Sequence, residues 1–149
     1  MGDAEPSLQA RIRSAVRQRE SGDVAGARAS LEELLPAAEA GSTFDWLFFA
    51  HSYADVQHDA AQELRWDLAA LDALDHMTEE DAAREGVPGG RAGLLPSLHL
   101  NVADVCRRLG DDEQAQRHYE RGARHLAALD DDTYGESIRE AFRRFGERD

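Results

Sequence analysis

Lysine is missing altogether: all seventeen basic residues of the 149 are arginine, against thirty acidic ones. The resulting net charge of -13 repels phosphate backbones. No basic patch offsets it, so a nucleic-acid partner is excluded. Cysteine is represented by Cys106 alone, which rules out a disulfide within the chain and fits a reducing compartment. Proline occurs four times, and aromatics make up 7%. No apolar run approaches the roughly 20 residues that a membrane span needs. The segment Met1–Pro6 is acidic and lacks the basic and apolar regions of a signal peptide. The expected location is the cytoplasm, with no membrane partner.

What remains is rich in Ala, Leu, Glu, Arg and Asp and poor in β-branched residues over long stretches. That balance favours helices. Ser7 follows Pro6 as a natural N-cap for a helix to about Glu20, with Leu8, Ile12, Ala15 and Val16 as its apolar stripe. Ser21-Gly22-Asp23 stops it. A second helix starts near Val24, and Pro36 is placed to kink or shorten it. Thr43 can cap a third helix, from about Phe44 to Gln57, which has two apolar stripes and should be sandwiched. A fourth runs from about Asp59 to Leu74. Thr78-Glu79-Glu80-Asp81 resembles a capping box opening a short helix that Gly86 ends. Val87-Pro88-Gly89-Gly90 reads as a turn. A fifth helix is predicted from about Ser97 to Leu109 and a sixth from about Glu113 to Leu129. A last one carries Tyr134, Ile138, Ala141, Phe142 and Phe145 on one side.

The chain repeats itself. Gly22-Asp23 and Gly110-Asp111 are each followed by an alanine five residues after the glycine, Ala27 and Ala115. Each of these is preceded by a small residue twelve positions back, Ala15 and Ala103. Two antiparallel helices approach closely only where small residues meet, and glycine tolerates the left-handed geometry of a helix C-terminus. Trp46-x2-Phe49-Ala50-x2-Tyr53, His99-x2-Val102-Ala103-x2-Cys106 and Ala115-x3-Tyr119 resemble the tetratricopeptide repeat, whose period is about 34 residues. Trp46 and His99 stand 53 apart, so the resemblance implies an insertion between the second and third repeats. Gln57-His58-Asp59 stands where the middle pair lacks a Gly-Asp turn, which should make that turn a residue or two longer. The Lys-free composition suggests a bacterial, actinobacterial-like source.

The resemblance implies an all-α fold: a right-handed α-α superhelix of three helix pairs and a C-terminal capping helix. It implies one domain over 1–149, with pairs at about 7–40, 43–75 and 97–129, an insertion at about 76–96 and a cap at about 133–147. In that family the first helix of each pair lines a concave groove. Trp46, Phe49, Ala50 and Tyr53 carry the packing signature, so Phe44, Leu47, Phe48, His51 and Asp55 should face the groove, joined by Leu100, Asn101, Asp104, Arg107 and Arg108. Ile12, Arg13, Val16 and Arg19 are candidates from the first helix. Equally, Phe44 and Phe48 can simply pack under the insertion or against the terminal helix.

Catalytic and metal chemistry find little purchase. His51 and His58, like His118 and His125, are seven residues apart, about 10 Å along a helix, too far for one metal. His51 with Asp55 could orient a ligand but reads better as a polar pair. His99 and Cys106 stand where the repeat wants aromatics and read as core, whereas His118 and His125 read as surface. Pro88-Gly89-Gly90 lacks the Lys of a phosphate loop. No cofactor, metal or catalytic residue is therefore assigned. The expected role is a protein-interaction module that binds a peptide or partner helix. The alternatives are a self-associating homodimer that uses its exposed aromatics and, further off, an enzyme or small-molecule sensor with the insertion as a lid.

Overall fold

The structure is a computed structural model that describes residues 4–147. The first three residues of the Met1–Pro6 reading and the last two of the chain lie outside the described residues. Eight helices and no strand are found among the described residues: α1 Leu8–Glu20, α2 Val24–Ala40, α3 Thr43–Ala54, α4 Ala60–His76, α5 Glu79–Arg84, α6 Gly90–Arg108, α7 Asp112–Ala123 and α8 Thr133–Glu147. A 3-10 turn at Leu126–Ala128 precedes α8. No helix is long and apolar enough to cross a membrane. Contacts divide the chain into two units, one ending at Ala73 and one beginning at Leu74. The first contains the expected 7–40 pair and most of the 43–75 pair. The second contains the expected insertion, the 97–129 pair and the cap.

In the first unit, helix boundaries follow side-chain chemistry. The Ser7 hydroxyl accepts from the Ala10 amide at 3.1 Å, satisfying one of the donors a helix start leaves orphaned. Pro36 neither shortens nor ends α2, which continues to Ala40. The cap of α3 is Ser42, not Thr43. Ser42 and Asp45 satisfy one another's backbone N–H groups reciprocally, each at 3.1 Å. The core joins Ile12, Ala27, Leu31, Ala38, Phe49 and Val56, all essentially excluded from solvent. Full burial of one such side chain contributes about 1.5–3 kcal/mol. Phe49 is its centre, with Trp46 at 5.8 Å, Tyr53 at 5.3 Å and Trp66 at 5.9 Å between ring centroids. Two long-range polar ties complete it. Gln9 donates to the Asp45 carboxylate at 3.0 Å, and Arg28 Nε donates to the Val56 carbonyl at 2.7 Å. The α3–α4 connection has five residues where the α1–α2 turn has three, the lengthening that Gln57-His58-Asp59 predicts.

In the second unit, the Thr78/Asp81 capping box opens α5 as expected, but α6 begins seven residues earlier than the Ser97 start. Packing carries the extra turns. Arg91 donates to the Leu74 carbonyl at 3.0 Å. A Cβ on Gly93 would stand 2.0 Å from the Pro88 oxygen, and one on Gly89 would stand 2.4 Å from the Ala128 oxygen. Backbone lies on backbone at both places, which only glycine permits. Pro96 is thus inside α6 and does not mark its start. The predicted sixth helix is shorter than expected: α7 stops at Ala123 and the chain tightens into the 3-10 turn. α8 packs on α6 through Phe142 and Phe145, 2% and 6% exposed. Tyr134, expected on its apolar side, is half exposed.

The two Gly-Asp turns share one geometry. Gly22 and Gly110 both have positive φ, +105° and +84°. Asp23 donates its N–H to the Gln18 carbonyl and Asp111 donates to the Cys106 carbonyl, the six-to-one bond of a helix C-terminus closed by glycine. Each aspartate then caps the next helix, accepting from Gly26 N–H at 2.9 Å and Gln114 N–H at 3.1 Å. Ala15, Ala27, Ala103 and Ala115 are all buried, the close approach that the small residues predict.

Candidate functional site

The second unit brings three of the expected groove residues to one place. Leu100, Asn101 and Asp104 of α6 line an open cleft of about 260 Å³ with Ala141, Arg144 and Phe145 of α8. One turn of α6 separates Asn101 from Asp104, so both project along the same side. Arg108, one turn further on, donates from Nε to Asp104 at 3.1 Å. Across the cleft, Arg144 donates to Glu140 at 3.3 Å. The floor is held by Arg107, which donates to the Phe145 carbonyl at 3.0 Å while its guanidinium lies 3.5 Å over the Phe145 ring. That stacking and hydrogen bond pin the end of α8 onto α6. Leu100 itself is largely buried and forms the cleft wall more than its rim. Ile12, a candidate from α1, is fully buried and belongs to the core. No family model, no curated protein and no solved structure matches the chain.

In the first unit the residues predicted for the groove divide. Leu47 is buried and belongs to the packing. Phe44 and Phe48 stack at 6.2 Å, and Phe48 also packs against the core. His51 and Asp55 do stand together, with Arg19 of α1 3.9 Å from the Asp55 carboxylate. Burial pulls His51 below its ordinary range; the Asp55 carboxylate works against this and Arg19 adds to it. His51, Asp55 and Arg19 together form a polar cluster. Among the described residues no three His, Cys, Asp or Glu side chains are arranged to hold a metal ion.

The most distinctive polar contact departs from the sequence expectation. His118, expected at the surface, is 9% exposed, and its Nδ1 lies 3.0 Å from the Nδ1 of His99, also 9% exposed. The signal that could have found it is the spacing of the two histidines about the turn. His99 precedes Gly110 by eleven residues and His118 follows it by eight, so the turn brings the two rings opposite one another. Burial holds both below the usual histidine range, and His99 is pushed down to about 4. The same offsets from Gly22 give Arg11 and Ser30, and these line a hollow of about 310 Å³ between α1 and α2 with Ser14, Gln18 and Glu33. One unit thus fills with two imidazoles a place that the other leaves open and polar.

Proposed function

We propose that the chain is a tetratricopeptide-like interaction module, three helix pairs and a capping helix, that holds a peptide or partner helix against the α6 face. The observation that carries this reading is the cleft lined by Leu100, Asn101 and Asp104. These are residues that the repeat pattern assigns to the binding face, and they border a concavity of about 260 Å³ with an aromatic wall. Its chemistry suits a neutral stretch of chain. Asp104 and Arg144 each have an intramolecular counter-ion, so a charged ligand would first have to displace one. Leu100 and Phe145 supply apolar surface for one inserted side chain, and Asn101 is the neutral polar side chain of the lining. Interfaces of this kind rest on a few desolvated anchors. Self-association draws on a different observation: Leu68, Leu109 and Tyr134 are 43%, 47% and 50% exposed.

The test is selection of binding peptides against the full chain from a displayed library, followed by titration of the best ligand. Asn101→Leu and Asp104→Arg are expected to weaken it at least tenfold, about 1.4 kcal/mol, with unchanged circular dichroism. The exposed Glu113→Ala should leave binding intact. Ligands insensitive to both cleft substitutions would refute the site. A dimer in light scattering that Tyr134→Ser or Leu109→Ser dissolves would favour self-association.

A further inference from the structure

The α6–α7 crossing is apolar almost throughout: Val102, Ala103, Cys106 and Ala115 are all buried, as is Phe142 of α8 beside it. Two imidazoles in its midst need a reason, since buried polar groups stabilise only when fully paired. Here they pair with each other. At 3.0 Å between Nδ1 atoms, one ring must carry the hydrogen and the other must accept it. The rings are tightly held. Their centroids are 5.2 Å apart, and a Cβ on Gly122, one turn beyond His118, would stand 3.0 Å from the His99 Cβ and 2.7 Å from the Phe142 ring. The α7 backbone thus lies close against the base of the His99 side chain.

We propose that the His99–His118 pair is a proton-operated catch, which holds α6 against α7 while the rings share one hydrogen and loosens the crossing when acid adds another.

The groups around the pair make the closed form refuse that proton. His118 and Arg121 act from α7, and His125 acts from the turn after it. All three oppose charge on His99, and burial opposes it more strongly still. Asp75, at the end of α4, is the one carboxylate that favours charge there. α8 presents the apolar ring of Phe142. A first added proton, on the outer nitrogen of the donating ring, leaves the Nδ1–H···Nδ1 bond in place but makes its donor a cation in a largely buried crossing. A second sets N–H against N–H, and the hydrogen bond is lost.

The sign follows from comparing open and closed forms. An exposed histidine titrates near 6.5, and His99 in the closed crossing titrates at about 4. Above 6.5 both forms are neutral and the catch holds fully. As the pH falls from 6.5 to 4 the open form gains a proton that the closed form declines, so closure weakens through that window, and below 4 the loss is complete. For His99 alone, opening at pH 5 should be favoured about thirtyfold over pH 7.5. His118, shifted in the same direction, adds to this.

Hydrogen exchange of the full chain, read by mass spectrometry and corrected for intrinsic rates, tests it at pH 7.5, 6 and 5. Amides of α6 and α7 should open on the order of thirtyfold more often at pH 5, and a His99→Asn/His118→Asn double variant, which keeps hydrogen-bonding side chains but cannot titrate, should lose that increase. Should the double variant not fold, ¹⁵N chemical shifts of labelled wild-type histidines decide the matter. One Nδ1–H and one bare Nδ1 that persist below pH 6 support the catch. Two rings that titrate independently near 6.5, or an acid response unchanged in the double variant, overturn it.

Discussion

Gly122 sets two effects of opposite sign against each other, and the structure decides between them. Replacing a helical glycine by alanine normally stabilises by about 1 kcal/mol. Gly122 is the second-last residue of α7, where part of that gain is lost to fraying. Against it stands space. The new Cβ would lie 2.7 Å and 3.2 Å from two atoms of the Phe142 ring and 3.0 Å from the His99 Cβ. Phe142 is 2% exposed, so its ring cannot turn outward. The His99 Cβ is one bond from the α6 backbone and moves only if α6 moves. Overpacking of this kind costs about 1–3 kcal/mol. The net expectation for Gly122→Ala is therefore a loss of about 1 kcal/mol, and Gly122→Val, with two further methyls and a stiff side chain, should lose about 3 kcal/mol. Urea unfolding monitored by circular dichroism gives both values. A Gly122→Ala protein more stable than wild type would refute the close packing of α7 on His99 and Phe142.

Gly22 makes the complementary case. Nothing lies within 4 Å of its would-be Cβ, but its φ is +105°. Gly22→Ala should therefore cost about 1 kcal/mol from backbone strain alone, read as a lower urea midpoint with an unchanged slope. Arg28→Met keeps the aliphatic stem but removes the 2.7 Å bond to the Val56 carbonyl. A hydrogen bond from a charged group contributes about 1.5–3 kcal/mol, and Val56 is core, so the melting temperature should fall by several degrees. An unchanged melt would show the bond to be dispensable.

The parts of this molecule legible in the sequence are those specified locally. Ser7 and Thr78 each announce a helix start through a side chain that reaches an amide three residues on, whereas Asp23 and Asp111, expected as parts of a stop, also cap the helix that follows. The alanines that close the pairs follow from the spacing to Gly22 and Gly110. What escaped is set by distant contacts. The sequence places the start of this helix near Ser97. The helix begins at Gly90 because Arg91, Gly93 and Gly89 meet Leu74, Pro88 and Ala128, remote or reversed in sequence. His118 sits between Arg117 and Tyr119 and looks wet, and only its opposition to His99, nineteen residues away, buries it. For the proposed site, Asn101 and Asp104 follow from their register in the repeat pattern that the sequence resembles. The walls that Ala141, Arg144 and Phe145 add to their cleft depend on where α8 docks, which no local pattern states. Leu47 was assigned to the open face because helix α3 is apolar on two sides, and periodicity alone does not say which side is covered.

The matched turns at Gly22-Asp23 and Gly110-Asp111 bear on how a chain of this kind can be extended. Each reverses direction using one glycine, one aspartate and main-chain bonds, and each leaves the following helix already capped, with its alanine four residues beyond the aspartate ready to meet the preceding helix. The junction therefore couples its two helices twice, through the cap and through the alanine contact, so a hairpin grafted there must bring a small residue to face that alanine.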